Sequence, residues 1–236
     1  MIPAEQCITE IQSNGFTIID NVYSAAEINA LISVIDQLDT TGSSFRKTKD
    51  LFAIRRFLNE APAIRPLVFN AGLKRLINHL FGNDYFVVKS IYFDKPASSN
   101  WFVAYHQHLM IAVNAQQDMP GFGPWSARQD QYAVQPPVSI LEKNFTVRIH
   151  LDDTDAANGA LRVIPGSHLK GIYRAEHIDW SIEQETVCTV AKGSVMIMKP
   201  LLLHASGKST GELKRRVLHI EFSNQALPAP LDWSER

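Results

Sequence analysis

The chain has 236 residues, enough for one well-buried core of the size a single β-sandwich or barrel domain reaches. A formal net charge of -1, from 23 Lys+Arg against 24 Asp+Glu, leaves no electrostatic footprint for nucleic acid or an anionic membrane surface. No apolar run has transmembrane length, MIPAEQCITEIQ lacks the basic and apolar regions of a signal peptide, and two distant cysteines, Cys7 and Cys188, read as reduced thiols of a cytoplasmic protein.

In chain order, Phe16 to Ile19 predicts a short strand. Ser24-Ala25-Ala26-Glu27 has the form of a capping box, and Ile28, Leu31, Ile32, Ile35 and Leu38 recur behind it at helical spacing. Gly42 stands beyond the expected end of that helix. A second helix is expected over Leu73 to Phe81, punctuated by Gly82. Neither helix carries a polar constellation, so both are expected to pack on a sheet. From Asp84 the texture changes. YFVVKSIYF, residues 85 to 93, is β-branched and aromatic, and short runs of the same kind follow as far as RRVLHIEFS. Turn signals at Asn158-Gly159, Pro165-Gly166 and Lys192-Gly193 separate them, which predicts a mainly β sandwich or barrel. Asn114 to Glu142, with four prolines and two glycines, reads as too irregular for strand and as a long loop that lids or walls a pocket. The expected organisation is a single domain, 1–236, with a helical part over about 1–83 packed on a β core over about 84–225.

Seven of the eight histidines follow residue 100. His79 on a helix and His168 and His177 in loops read as structural or surface groups, leaving His106, His108, His150 and His204, with His219 behind them. A non-heme Fe(II) site wants two histidines and a carboxylate on one octahedral face. His106-Gln107-His108 puts two imidazoles on one face of a strand but lacks the carboxylate. His150-Leu151-Asp152 has the literal His-x-Asp form, and on letters alone it is favoured. Either could pair with His204. Along FTVRIHL, Thr146, Arg148 and His150 share one face, expected to look into the barrel, while Val147, Ile149 and Leu151 are expected to meet the helices.

Three segments in order resemble the phytanoyl-CoA dioxygenase family of Fe(II)/2-oxoglutarate oxygenases. YFDKPASSNWFVAYHQHL resembles the stretch carrying the family's His-Gln-Asp motif, NGALRVIPGSHLKG its NG-x-L-x-x-x-PGSH stretch, and HASGKSTGELKRRVLHIEFS its distal histidine and following arginine. The resemblance runs from about Tyr85 to Ser223 and implies a double-stranded β-helix, a cupin-like jelly roll. It also implies Fe(II), 2-oxoglutarate as co-substrate, O2, and hydroxylation of a small organic molecule. It moves the metal to His106 and His204, with His108 standing where the family has aspartate; these three are the expected metal ligands and catalytic set. Arg215, eleven residues past His204, is implied to pair the distal carboxylate of 2-oxoglutarate, with Arg216 facing the other way. Lys89 and Tyr92 are placed at the co-substrate end by the same resemblance, and Arg148, His150 and Trp101 are expected pocket residues. Because His108 replaces the carboxylate, two alternatives stay open: a three-histidine cupin-like enzyme that does not use 2-oxoglutarate, and a catalytically silent metal- or ligand-binding relative.

Overall fold

The structure is a computed structural model and describes residues 4–38, 45–48, 52–128 and 131–236. Helix α1 (Ala4–Asn14) buries Cys7 and Ile11, one turn apart, and leads into strand β1 (Phe16–Ile19). Helix α2 (Ala25–Asp36) opens on the expected capping box. Ser24 Oγ accepts the Glu27 N–H at 3.3 Å, and the Glu27 carboxylate accepts the Ser24 N–H at 2.8 Å. Two orphan amides are satisfied at once, a device worth about 1 kcal/mol. Gly42, expected beyond this helix, lies outside the described residues.

A short hairpin, β2 (Phe45–Lys47) and β3 (Phe52–Arg55), and two one-turn helices, α3 (Phe57–Glu60) and α4 (Arg65–Val68), lead to α5 (Ala71–Phe81). There Asn70 Oδ1 accepts the Leu73 N–H at 2.8 Å, and Gly82 ends the helix with φ of 90°, a value strained for any residue with a Cβ. The β core then runs through β4 (Phe86–Lys95), β5 (Val103–His106), β6 (Ile111–Val113), β7 (Trp125–Arg128) and β8 (Gln131–Val134). After helix α6 (Val138–Lys143) come β9 (Phe145–His150), β10 (Leu161–Val163), β11 (Thr186–Cys188), β12 (Val195–Met198), β13 (His204–Ser206) and β14 (Arg215–Ser223).

A seven-stranded antiparallel sheet, in the order β1-β12-β9-β14-β4-β3-β2, faces a four-stranded one, β11-β10-β13-β5. Together they form the double-stranded β-helix. Its helix-covered face is apolar by strict alternation. Val147 and Ile149 of β9, Leu151 just past its end, and Leu218, Ile220 and Phe222 of β14 are all buried in one cluster with Ile28, Leu31, Ile35, Leu73 and Ile77. Phe81, Phe145 and Phe222 stack face to face, with centroids 3.7 and 4.9 Å apart, and so tie α5 to the two central strands. The opposite face of the same strands carries Arg148, His150, Arg215, His219 and Glu221, and all five are buried. Charged groups survive there because they neighbour and hydrogen-bond one another on the face turned toward the space between the sheets, away from the helix-side hydrocarbon.

The segment 114–142 is not the irregular loop that its prolines suggest. It contributes β7 and β8 to a separate three-stranded sheet, β6-β8-β7, and then α6. Trp125 and Val134 are register partners, and Val134 is fully buried against Ile111 and Leu141. The prolines lie outside these strands, at turns and at the start of α6, where a missing N–H costs no ladder bond.

Candidate metal centre

His204 and His106 are direct register partners on neighbouring antiparallel strands, β13 and β5, and their ring centroids are 4.3 Å apart. His108 lies just past the end of β5. Its amide donates to Pro200 O at 2.8 Å, and its ring centroid is 4.7 Å from that of His204 and 5.7 Å from that of His106. Gln107 between them holds this turn. Its side-chain amide donates to Leu201 O at 2.6 Å and Gly171 O at 2.9 Å, and its Oε1 accepts the Tyr173 N–H at 2.9 Å. One ring nitrogen from each of His106, His108 and His204 lies within 4.8 Å of the others.

The tautomers suit coordination. His106 Nδ1 is 2.9 Å from Ala104 O and His204 Nδ1 is 2.8 Å from Leu202 O. A carbonyl can only accept, so each Nδ1 carries the hydrogen and each Nε2 keeps a free lone pair. Burial, and secondarily the neighbouring imidazoles, hold His108 and His204 well below the usual histidine range, so both are neutral at pH 7.

These rings border a cavity of 250 Å³ between the two sheets. Lys89, Ile91 and Phe93 of β4 and Arg215 and His219 of β14 border it too, with Trp101, Arg148 and Leu161. The rows are in register: Arg215 faces Lys95, Val217 faces Phe93, His219 faces Ile91 and Glu221 faces Lys89. At one end stands Arg215, with its register partner Lys95, also a buried cation, beside it on β4 and off the cavity wall. Arg215 Nη1 donates to Gly159 O, Lys95 Nζ donates to Gly207 O at 2.5 Å, and Arg215 Nε is buried with no partner. Burial, and then Arg215, lower the Lys95 pKa to about 8, while burial alone lowers that of Arg215 to about 10. Two adjacent cations with an unsatisfied N–H are the chemistry of an anion site.

At the other end, Arg148 Nη1 donates to His219 Nδ1 at 3.1 Å. His219 Nε2 therefore carries hydrogen and donates to Glu221 Oε1 at 3.0 Å, which also accepts from Lys89 at 2.8 Å. Burial opposes ionisation of Glu221, but Lys89 and His219 outweigh it and hold its pKa at about 2. His108 Nδ1 is 3.8 Å from the same oxygen.

Of the residues expected at the site, His106, His108, His204, Arg215, Lys89, Arg148 and Trp101 are brought together around one cavity. Tyr92 is not. It stacks on Phe57 in the helix-side core, centroids 5.6 Å apart, because its strand parity is opposite to that of Lys89. His150 is buried behind the cavity rather than on its wall. Its Nδ1 is 2.8 Å from Thr154 Oγ1. Asp152 turns away and grips Arg216 through Nε at 2.9 Å, Nη2 at 2.8 Å and the backbone N–H at 2.9 Å. Lys95 and Glu221 were missed. Parity supplies both: Lys95 follows Lys89 by six residues on β4, and Glu221 follows Arg215 by six on β14.

A second cavity, of 290 Å³, shares Lys89 and Ile91 with the first. Ser126, Arg128, Tyr132 and Ala133 of the 114–142 segment form part of its wall, with Arg55 and Arg56 opposite.

The fold is a double-stranded β-helix, and the three imidazoles converging between its sheets are a donor set that could hold a metal ion. The chain belongs to the phytanoyl-CoA dioxygenase (PhyH) family of non-heme Fe(II)/2-oxoglutarate oxygenases, which it matches over residues 11–217. No curated protein sequence matches it. Among solved structures, EctD from S. alaskensis in its apoform superposes with a TM-score of 0.73 at 17% identity, covering 97% of this chain and 80% of that one. AviO1 from Streptomyces viridochromogenes Tue57 gives 0.69 at 17% identity over 97% and 98%. HygX from Streptomyces hygroscopicus, with nickel, 2-oxoglutarate and hygromycin B bound, gives 0.67 at 15% identity over 92% and 86%. These likenesses establish the fold. Among the described residues, no helix is long and apolar enough to cross a membrane.

Proposed function

We propose that this protein is an Fe(II)- and 2-oxoglutarate-dependent oxygenase of a small organic substrate, with the metal on His106, His108 and His204. One observation carries the reading: three imidazoles converge on a cavity that also holds buried Arg215, with the Nε2 atoms of two of them free and directed by backbone carbonyls. Imidazole donors suit Fe(II), and three of them leave open octahedral positions for a chelating co-substrate and O2. When bound, iron with 2-oxoglutarate supplies the O2 activation and C–H oxidation. The chain's own residues then do the positioning. Arg215 and Lys95 pair the distal carboxylate of 2-oxoglutarate, Arg215 through its unsatisfied N–H. Trp101, Phe93 and Leu161 keep the space between carboxylate and metal dry. The primary substrate enters through the neighbouring cavity that meets the first at Lys89 and Ile91, so the 114–142 segment sets specificity. Three neutral ligands leave Fe(II) its full formal charge, which a dianionic co-substrate neutralises.

The test is iron-dependent conversion of 2-oxoglutarate to succinate by the purified protein, with co-substrate binding measured by calorimetry. Weakening of both, with affinity for 2-oxoglutarate down by about 10–100-fold, is the expected result of Arg215→Met. No 2-oxoglutarate binding by iron-loaded protein sinks the proposal. His108 favours one other reading, a three-histidine enzyme whose substrate chelates the metal directly; that reading predicts that Arg215→Met leaves turnover intact.

A further inference from the structure

Three histidines surround the candidate metal position, but only two have their outer nitrogen anchored. His106 and His204 each direct Nδ1 at the carbonyl two residues back, at 2.9 and 2.8 Å. His108 Nδ1 meets no such carbonyl and is buried without a hydrogen-bond partner. What it faces is Glu221 Oε1, at 3.8 Å, reached across the cavity from β14. We propose that Glu221 is the orienting carboxylate of His108: it takes the Nδ1 hydrogen, turns Nε2 toward the metal and raises the donor strength of that ring. The carboxylate that the His-x-His stretch lacks is thus kept, one residue outward from the metal. This rests on the metal reading above.

The geometry argues against Glu221 as a metal ligand in its own right. Its Oε1 already accepts from Lys89 at 2.8 Å and from His219 at 3.0 Å, and an ammonium beside an oxygen repels a cation there. His219, which with His108 and Glu221 forms a second group of possible donors within 4.8 Å, has both nitrogens committed, Nδ1 to Arg148 and Nε2 to Glu221. So Arg148, His219, Glu221 and Lys89 form a clamp that fixes the carboxylate in space. His108 stands against it with Nδ1 unpartnered. A gap of 3.8 Å is too long for a hydrogen bond, so the proposal requires the imidazole to turn toward Glu221 when metal binds. A histidine ligand that donates its other N–H to a carboxylate is the usual way of fixing ring orientation and basicity.

The experiment uses Co(II), an oxygen-stable probe with visible ligand-field bands, titrated into the full-length protein and into Glu221→Gln, each with His108 or with His108→Asp. With His108, Glu221→Gln is expected to weaken Co(II) binding by about 10–100-fold and to shift the bands. With His108→Asp the ligand is itself a carboxylate facing Glu221, so the same change is expected to leave affinity unchanged or to improve it. Unchanged affinity and bands in the His108 protein overturn the proposal, and so does an equal loss in both backgrounds, which is what a merely structural role gives. Should Glu221→Gln not fold, Glu221→Asp keeps the charge beside Lys89 but withdraws it from His108. Weaker Co(II) binding then supports the proposal and unchanged binding overturns it. A parent protein that binds no Co(II) sinks the metal reading as well, a result distinct from either outcome.

Discussion

Two strands of this barrel, β5 and β9, each end on a histidine with a possible second ligand two residues on. They have opposite fates. At the end of β5, Gln107 is pinned by three hydrogen bonds, and the histidines on either side of it both join the cluster with His204. At the end of β9, His150 is tied to Thr154 and Asp152 turns outward to hold Arg216. The stretch with the better metal-binding letters therefore serves folding, and the stretch that lacks a carboxylate borders the cavity. What separates them is the neighbouring strand. β5 lies against β13, which brings His204 opposite His106; β9 lies between β12 and β14, where the partners of Arg148 and His150 are Met196, His219 and Val217. Spacing along one strand yields a ligand pair only where cross-strand register brings a further donor to the same side.

The largest effect expected from this contrast is on metal binding. His204→Ala removes the partner that β13 supplies, and metal affinity should fall by more than about 100-fold, since even an outer-sphere partner is worth about 10–100-fold. His150→Ala should leave metal affinity unchanged. Equilibrium titration with Co(II) measures both. A large loss in His150→Ala with none in His204→Ala would move the metal to β9.

Next comes the co-substrate end. Arg215→Met leaves Lys95 as the remaining cation for a buried carboxylate, and charge-assisted hydrogen bonds are worth about 1.5–3 kcal/mol each. Calorimetric affinity for 2-oxoglutarate should drop by about 10–100-fold. Arg216→Met, one residue on but on the other face, should leave that affinity alone. Asp152→Asn probes the other half of the comparison. It breaks a bidentate, largely buried pair, and should lower unfolding free energy in urea by about 1.5–3 kcal/mol while metal affinity stays the same. Failure of Asp152→Asn to destabilise would undo the structural role given to β9.

Much of this molecule is legible along the chain. The capping box at Ser24, the end of α5 at Gly82, and the split of β9 into an apolar and a polar face follow from local pattern, because caps and alternation are short-range physics. The strands of segment 114–142 were hidden by prolines that sit at their ends. Tyr92 was misplaced although its parity with Lys89 forbids it the same face. Glu221 and Lys95 needed one step more. Their importance appears only once β4 and β14 are paired in register, when Glu221 meets Lys89 and Lys95 meets Arg215. The outward turn of Asp152 depends on Arg216, sixty-four residues away, and no local pattern encodes that contact.

Lys95 gives the smallest effect and the most specific signature. It is a base whose pKa in the fold is lowered from 10.5 to about 8, first by burial and then by Arg215. Below pH 8 it is protonated in folded and unfolded chains alike, and burying that charge costs stability. Between pH 8 and 10.5 the unfolded chain binds more protons than the folded one, so on this group's account stability rises with pH. Co-substrate binding runs the other way. An incoming carboxylate favours protonated Lys95, so affinity for 2-oxoglutarate should be highest below pH 8 and decline as pH rises through it. Lys95→Met should lower that affinity by roughly 5–10-fold at pH 7, flatten its decline above pH 8, and raise the stability of the protein without ligand near neutral pH. A co-substrate affinity in Lys95→Met that matches the parent at pH 7 would leave Arg215 to hold the distal carboxylate alone. Opposite signs in the two measurements would mark Lys95 as a charge buried for the sake of an anion, as the β4 and β14 register implies.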